Sequence, residues 1–158
     1  MSRSPQTNKV LSQDPSEEPS APTQTAYFPG DEKKYEGWRE FTVYRDGDIP
    51  LVFEGKLLGD GETSVDVLDK LRNAWTKRGH IAAIFKTRSG KYVISFEAWS
   101  GISTESSRYK AAVLDDHTHM RVTLATFTPR GIPEAALIAL SEAGTNDADL
   151  ANEAVERI

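Results

Sequence analysis

Cysteine is missing altogether from this 158-residue chain. No disulfide, thiol nucleophile or cysteine-based zinc or iron–sulfur site can form, so ordinary packing holds the domain together. The absence fits a cytoplasmic protein. Long apolar runs are lacking too: no stretch approaches the ~18–20 apolar residues that cross a bilayer. The opening MSRSPQTNKVLSQDPSEEPS has no apolar core of the kind a secretory signal needs. The expected location is therefore cytoplasmic, with no membrane partner. Bulky apolar residues are scarce before residue 27, where Ser, Pro, Gln, Thr and Glu dominate. Such a segment buries too little surface to offset its ordering entropy, which predicts a disordered tail over 1–26 and a single domain over 27–158.

Charge is present but unevenly placed. The net charge is −5, yet residues 63–110 carry nine basic and four acidic side chains, while acidic residues prevail on both sides. A basic middle between acidic flanks raises the question of a polyanion surface.

Alternation of apolar and polar residues predicts strands at REFTVYR (39–45), PLVFEGKLL (50–58), HIAAIFKT (80–87), KYVISFEAW (91–99), RYKAAVLDD (108–116) and HMRVTLATF (119–127). TSVDVLDKLRNAWTKRG (63–79) reads as a helix. Thr63 would be its N-cap, and Val67, Leu68, Leu71, Ala74 and Trp75 its apolar stripe; Lys77 and Arg78 would lie at its negative end and Gly79 at its exit. PEAALIALSEAG (133–144) reads as a second helix opened by Pro133 and left at Gly144, and the acidic TNDADLANEAVERI (145–158) as a third. The fold class expected is α+β: a mainly antiparallel sheet of about six strands, one central helix and two C-terminal helices, after a disordered N-terminal tail.

Few motifs point to chemistry. In DDHTHM (115–120), His117 and His119 at i and i+2 on a strand would share a side, a spacing that suits a metal; Arg121 on that same face argues against one, leaving them weak candidates. Ser100, Ser103, Ser106 and Ser107 occupy a loop without a G-x-S-x-G elbow. GDGET (59–63) lacks the Lys-Ser/Thr of a phosphate loop, and Asp60 and Glu62 would repel phosphate; a turn before a helix cap is the simpler reading. No catalytic residue and no cofactor are expected.

FKTRSGKYVISFEAW (85–99) is the sharpest local feature, because Lys86, Arg88 and Lys91 crowd a Ser-Gly turn beside Tyr92 and Phe96. Basic and aromatic residues together are what single-stranded nucleic acid needs. The element order is not that of an RNA-recognition motif, however, and alternating Tyr92, Ile94 and Phe96 more simply form a core face. The candidate binding residues are Lys77, Arg78, Lys86, Arg88, Lys91, Tyr92, Arg108 and Lys110.

Taken in order, EGWREFTVYR, FEGKLL, FKTRSGKYV, RYKAAVLDD and GIPEAALIAL resemble the bacterial EXLDI family of small proteins without an established biochemical role, over residues 36–158. The resemblance implies a bacterial accessory protein and brings no catalytic residues with it. The sequence is therefore read as a non-enzymatic interaction or regulatory domain acting through protein partners or self-association. A nucleic-acid-binding regulator using the basic 77–91 region is the alternative.

Overall fold

The computed structural model describes residues 37–155. The expected tail and the start of the expected domain lie outside them. Five strands run in chain order: β1 (Arg39–Val43), β2 (Leu51–Asp69), β3 (Ala74–Thr87), β4 (Tyr92–Ser100) and β5 (Arg108–Leu114). A single 3-10 turn at His117–His119 leads into three helices, α1 (Met120–Leu124), α2 (Glu134–Asn146) and α3 (Ala148–Ala151). Each strand pairs antiparallel with the next, so the sheet is a meander of order β1-β2-β3-β4-β5. The sheet curls. Just past β1, the Asp46 N–H reaches the Tyr109 carbonyl on β5 at 2.9 Å, and the Asp46 carboxylate accepts the Tyr109 N–H at 3.0 Å.

Strand alternation gives the sheet two buried faces. Phe41, Val43, Leu57, Ala83, Phe85 and Val93 form the core inside the curl. On the other face Leu58, Ala82, Ile84, Tyr92, Ile94 and Phe96 meet the helices through Met120, Leu124, Ala136, Leu140 and Leu150. Ordinary strand alternation sends consecutive Leu57 and Leu58 to opposite cores, and the register shift between Leu57 and Gly59 then turns Gly59 to the helix side along with Leu58.

Glycine and alanine set the depth of the helix layer. A Cβ on Gly59 would lie 2.2 Å from the Ala139 carbonyl, and one on Gly61 would lie 2.2 Å from that of Ala135. Only bare backbone lets α2 sit this close, and its alanines complete the fit. GDGET is thus the middle of a continuous strand, shaped for a helix, rather than a turn.

Three expectations are corrected. Residues 63–79 are not a helix: they form the far halves of β2 and β3 and the turn between them, with Val65 opposite Arg78 and Leu68 opposite Trp75. The residues of the apparent helical stripe are split by the turn, with Leu71 within it, Trp75 returned opposite Leu68 and Ala74 opposite Asp69. Asn73 takes the left-handed conformation (φ 52°) there, which asparagine tolerates. Second, residues 119–127 are not a sixth strand. Met120 and Leu124 are buried one helical turn apart while Val122 between them is 61% exposed. Third, α2 continues through Gly144 to Asn146; a Cβ on Gly144 would meet Ala154 at 3.1 Å, so this glycine admits the chain after α3. The final helix is correspondingly short. Among the described residues, no helix is long and apolar enough to cross a membrane.

Candidate interaction surface

β2 and β3 outrun their neighbours. β1 pairs with β2 only from Leu51 to Gly55, and β4 follows β3 only as far as Arg78. The remainder is a two-stranded arm, a construction that is marginal in water without outside support. Support comes from the segment after β4. The Gly101 N–H donates to the Lys77 carbonyl at 2.8 Å, and the Arg78 guanidinium binds Glu105 at 2.7 Å. Buried Asp69 ties the tip to the same segment. Its Oδ2 accepts the Ser103 N–H at 3.0 Å and hydroxyl at 3.1 Å, while its Oδ1 accepts the Leu71 and Arg72 N–H groups of the turn. The Ser103 N–H in particular holds the Asp69 carboxyl below the ordinary aspartate range. The arm is braced, yet its apolar side chains face solvent: Val65 is 61% exposed, Leu71 75% and Trp75 72%.

The basic residues singled out in the sequence are dispersed over this frame, and six of them are engaged within it. Lys77 pairs with Asp66 across the arm at 2.8 Å. Lys86 binds Asp147 at 3.1 Å and lies over the Tyr92 ring. Arg88 pairs with Glu54 at 3.0 Å and covers Trp38, whose ring also meets Lys56. Lys91 pairs with Asp115, and the Lys110 ammonium donates to the Phe127 carbonyl at 3.1 Å. Arg78 and Lys86 are eight residues apart on β3, at most about 27 Å along an extended strand. The helix end that would have gathered Lys77 and Arg78 does not form.

Tyr92 is no stacking platform. It is buried on the helix-covered face, and its hydroxyl donates to Asp147 at 2.9 Å. Burial and that carboxylate together push its pKa far up. Tyr92, Ile94 and Phe96 do share the core face that their alternation suggests.

Two of the singled-out residues do meet. Arg78 and Arg108 line an open cleft of about 480 Å³ with His80, Trp99 and Glu105. Hydrogen bonding from Ser100, reinforced by Arg78 and by the charge of Arg108, keeps the Glu105 carboxyl low. Burial lowers the His80 pKa, so this imidazole favours its neutral form.

The DDHTH stretch is a capped turn. Asp116 accepts the Thr118 N–H at 2.9 Å and hydroxyl at 2.5 Å, and the Thr118 hydroxyl chiefly depresses its pKa. His117 and His119 sit on a 3-10 turn instead of a strand, so the i, i+2 geometry that suggested a metal is lost. His117 faces Glu153 at 3.5 Å and His119 faces the Thr118 hydroxyl at 3.3 Å. Among the described residues, no three His, Asp or Glu side chains are grouped to hold a metal ion. Ser103, weighed in the sequence as one of several loop serines, instead serves as the arm's brace.

Sequence reading missed the arm itself. The available signal was the period-two run of β-branched Thr63, Val65 and Val67, which competed with an equally good helical stripe. No family model matches the chain, and no curated protein and no solved structure matches it either.

Proposed function

We propose that this protein is a non-enzymatic interaction domain that works through protein contacts, and that the β2–β3 arm is its contact element. The observation supporting this reading is the braced arm carrying solvent-facing Leu71 and Trp75. Large apolar side chains held rigidly outside a core lose little entropy on docking, and Trp is enriched among residues that dominate interface energies. The exposed cations Lys70 and Arg72 flank Leu71 and would favour an acidic rim on the partner. The resemblance to small bacterial accessory proteins belongs to the same proposal, with a cytoplasmic setting.

The alternative, a nucleic-acid-binding regulator, draws on the cleft that joins Arg78 and Arg108. It has less support, because Lys77, Arg78, Lys86, Arg88 and Lys91 each carry an acidic partner that phosphate would have to displace.

Full-length protein on beads, with nuclease-treated lysate of its own cells, tests the first reading against the Trp75→Ser variant. A discrete set of captured proteins should be lost with Trp75→Ser while melting is unchanged. Equal capture by both proteins would sink the arm as the contact element. Fluorescence anisotropy with labelled single- and double-stranded nucleic acid at low salt tests the alternative. Tight binding with a steep salt slope, lost on Arg108→Ala, would replace the first reading with it.

A further inference from the structure

Among the described residues, the edge of β2 is guarded along part of its length and then left open. An unpaired edge strand presents free N–H and C=O groups, and proteins ordinarily block such edges with bulges, lysine, proline or a covering element. Here the bulge at Leu57–Gly59 is the first block. Immediately beyond it, α2 side chains cap the edge: Asn146 Nδ2 donates to the Leu58 carbonyl at 2.8 Å, and Glu142 Oε1 accepts the Asp60 N–H at 3.3 Å. Both groups point away from β3. With the two-residue period of a strand, the N–H and C=O groups of Glu62, Ser64, Asp66 and Leu68 point the same way. Among the described residues, no strand pairs with β2 on that side beyond Gly55. Residues 62–68 contain no lysine, no proline and no register shift.

The open stretch is also self-complementary. Set against a second copy of itself, antiparallel and centred on Val65, it places Glu62 opposite Leu68 and Ser64 opposite Asp66, so no acid faces an acid. Moving the centre to Ser64 sets Glu62 against Asp66; moving it to Thr63 sets Asp60 against Asp66; moving it to Asp66 pairs that residue with itself. Like charges directly opposite destabilise a strand pair. On the face shared with Gly61, Thr63, Val65 and Val67 would join their copies in one β-branched stripe, continued by partly exposed Ile138 beside Gly61. β-branched neighbours across a strand pair are favourable.

We infer that two copies of this chain pair through residues 62–68 of β2, antiparallel about Val65, to form one continuous sheet across a twofold axis. This rests on the reading of the protein as a protein-contact domain and names one of its partners as the chain itself. The symmetry is self-consistent, since a twofold contact uses the same patch on both subunits. Val65 lies at a position whose backbone groups face β3, so the pair on the axis is a non-hydrogen-bonded one with Cα atoms about 4.5 Å apart. That separation falls within the range a disulfide spans.

The test uses the full chain, which has no native cysteine to interfere. Val65→Cys, treated with a mild thiol oxidant, should cross-link to a covalent dimer, whereas Val122→Cys on exposed α1 should not. By sedimentation the wild type should be a dimer at micromolar concentration. Val65→Lys, with two ammonium groups meeting at the axis, should weaken dimerisation by about 100-fold or more at unchanged helix and sheet content. A wild type that stays monomeric into the high micromolar range overturns the inference. So does a dimer indifferent to Val65→Lys, or equal cross-linking at Val65→Cys and Val122→Cys. Trp75→Ser separates the two proposals: it should abolish partner capture and leave the dimer intact. If Trp75-dependent capture persists while the chain is monomeric, only the edge pairing fails.

Discussion

Asp147 joins the helices to the sheet. Its carboxylate accepts from the Lys86 ammonium at 3.1 Å, the Tyr92 hydroxyl at 2.9 Å and the Asp149 N–H that opens α3 at 2.8 Å. Burial pushes its pKa up, but the bonds from Lys86 and Tyr92 outweigh that, and the net result lies below the ordinary aspartate value. The sign of the pH dependence follows. A carboxyl depressed in the fold stabilises the protein fully above its unfolded pKa of about 3.9, and that contribution is lost as pH falls through the folded value. Asp147→Asn should lower unfolding free energy at pH 7 by about 1–3 kcal/mol, the scale of charge-assisted hydrogen bonds to a largely buried group. Urea unfolding at pH 7 and again near pH 3 checks it: the gap between wild type and variant should narrow in acid. A gap of the same size at both values would mean that the ionised carboxylate is not its source. None of this is visible in the sequence, where Lys86 and Tyr92 stand among the candidate binding residues, Tyr92 more simply on a core face, and Asp147 is one acid among several in a final helix. Their meeting depends on α2 lying across β2 and β3, over the bare backbone of Gly59 and Gly61.

At the level of elements, the sequence was most legible where burial has one period over a whole segment. β1, the start of β2, β4, β5 and α2 fall where alternation or alanine-rich periodicity puts them. It misled where two periods fit the same residues. Met120 and Leu124 are four apart, which suits both a strand face and a helix face, and only the fate of Val122 separates them. On a helix it points to solvent; on a strand it would be buried beside its neighbours. Val122→Asp should therefore change stability by less than about 0.5 kcal/mol, whereas Leu124→Ala should cost about 2–5 kcal/mol. Chemical denaturation of the two variants measures this directly, and a large loss with Val122→Asp would restore the strand. Residues 63–79 failed for a related reason. Val67, Leu68, Leu71, Ala74 and Trp75 trace a helical stripe, and Asp, Lys and Arg lie at the favourable ends of an imagined dipole. What decides against the helix is distant in sequence. β3 supplies a full ladder for β2, Ser103 braces the turn through Asp69, 34 residues away in sequence, and Gly101 holds β3 at the Lys77 carbonyl.

Taken as a whole, the described domain is one sheet with a core on each face, and this couples everything built on it. Ala82 and Ile84 serve the helix-covered core while Ala83 and Phe85, interleaved with them, serve the core within the curl; β4 does the same with Ile94 and Val93. The alternation was legible, but its consequence for charge was not. A segment with nine basic residues becomes a spread of ion pairs once β3 carries Arg78 and Lys86 to different places, Arg78 to Glu105 within the segment and Lys86 to Asp147 of the acidic C-terminal flank. The same interleaving bears on unfolding. Neither core can dissolve without pulling the strands that build the other, so the described domain should lose both in one step. Phe85→Ala inside the curl and Leu140→Ala beneath the helices should each lower stability by about 2–5 kcal/mol. In both variants near-ultraviolet and far-ultraviolet signals should change at the same denaturant concentration, with unchanged slope. A helical signal lost ahead of the sheet in Leu140→Ala, with Phe85→Ala still unfolding in one transition, would mean that α2 is an appendage on a self-sufficient curl. The close seating of α2 on Gly59 and Gly61, and the caps that Asn146 and Glu142 place on the β2 edge, argue for the single step.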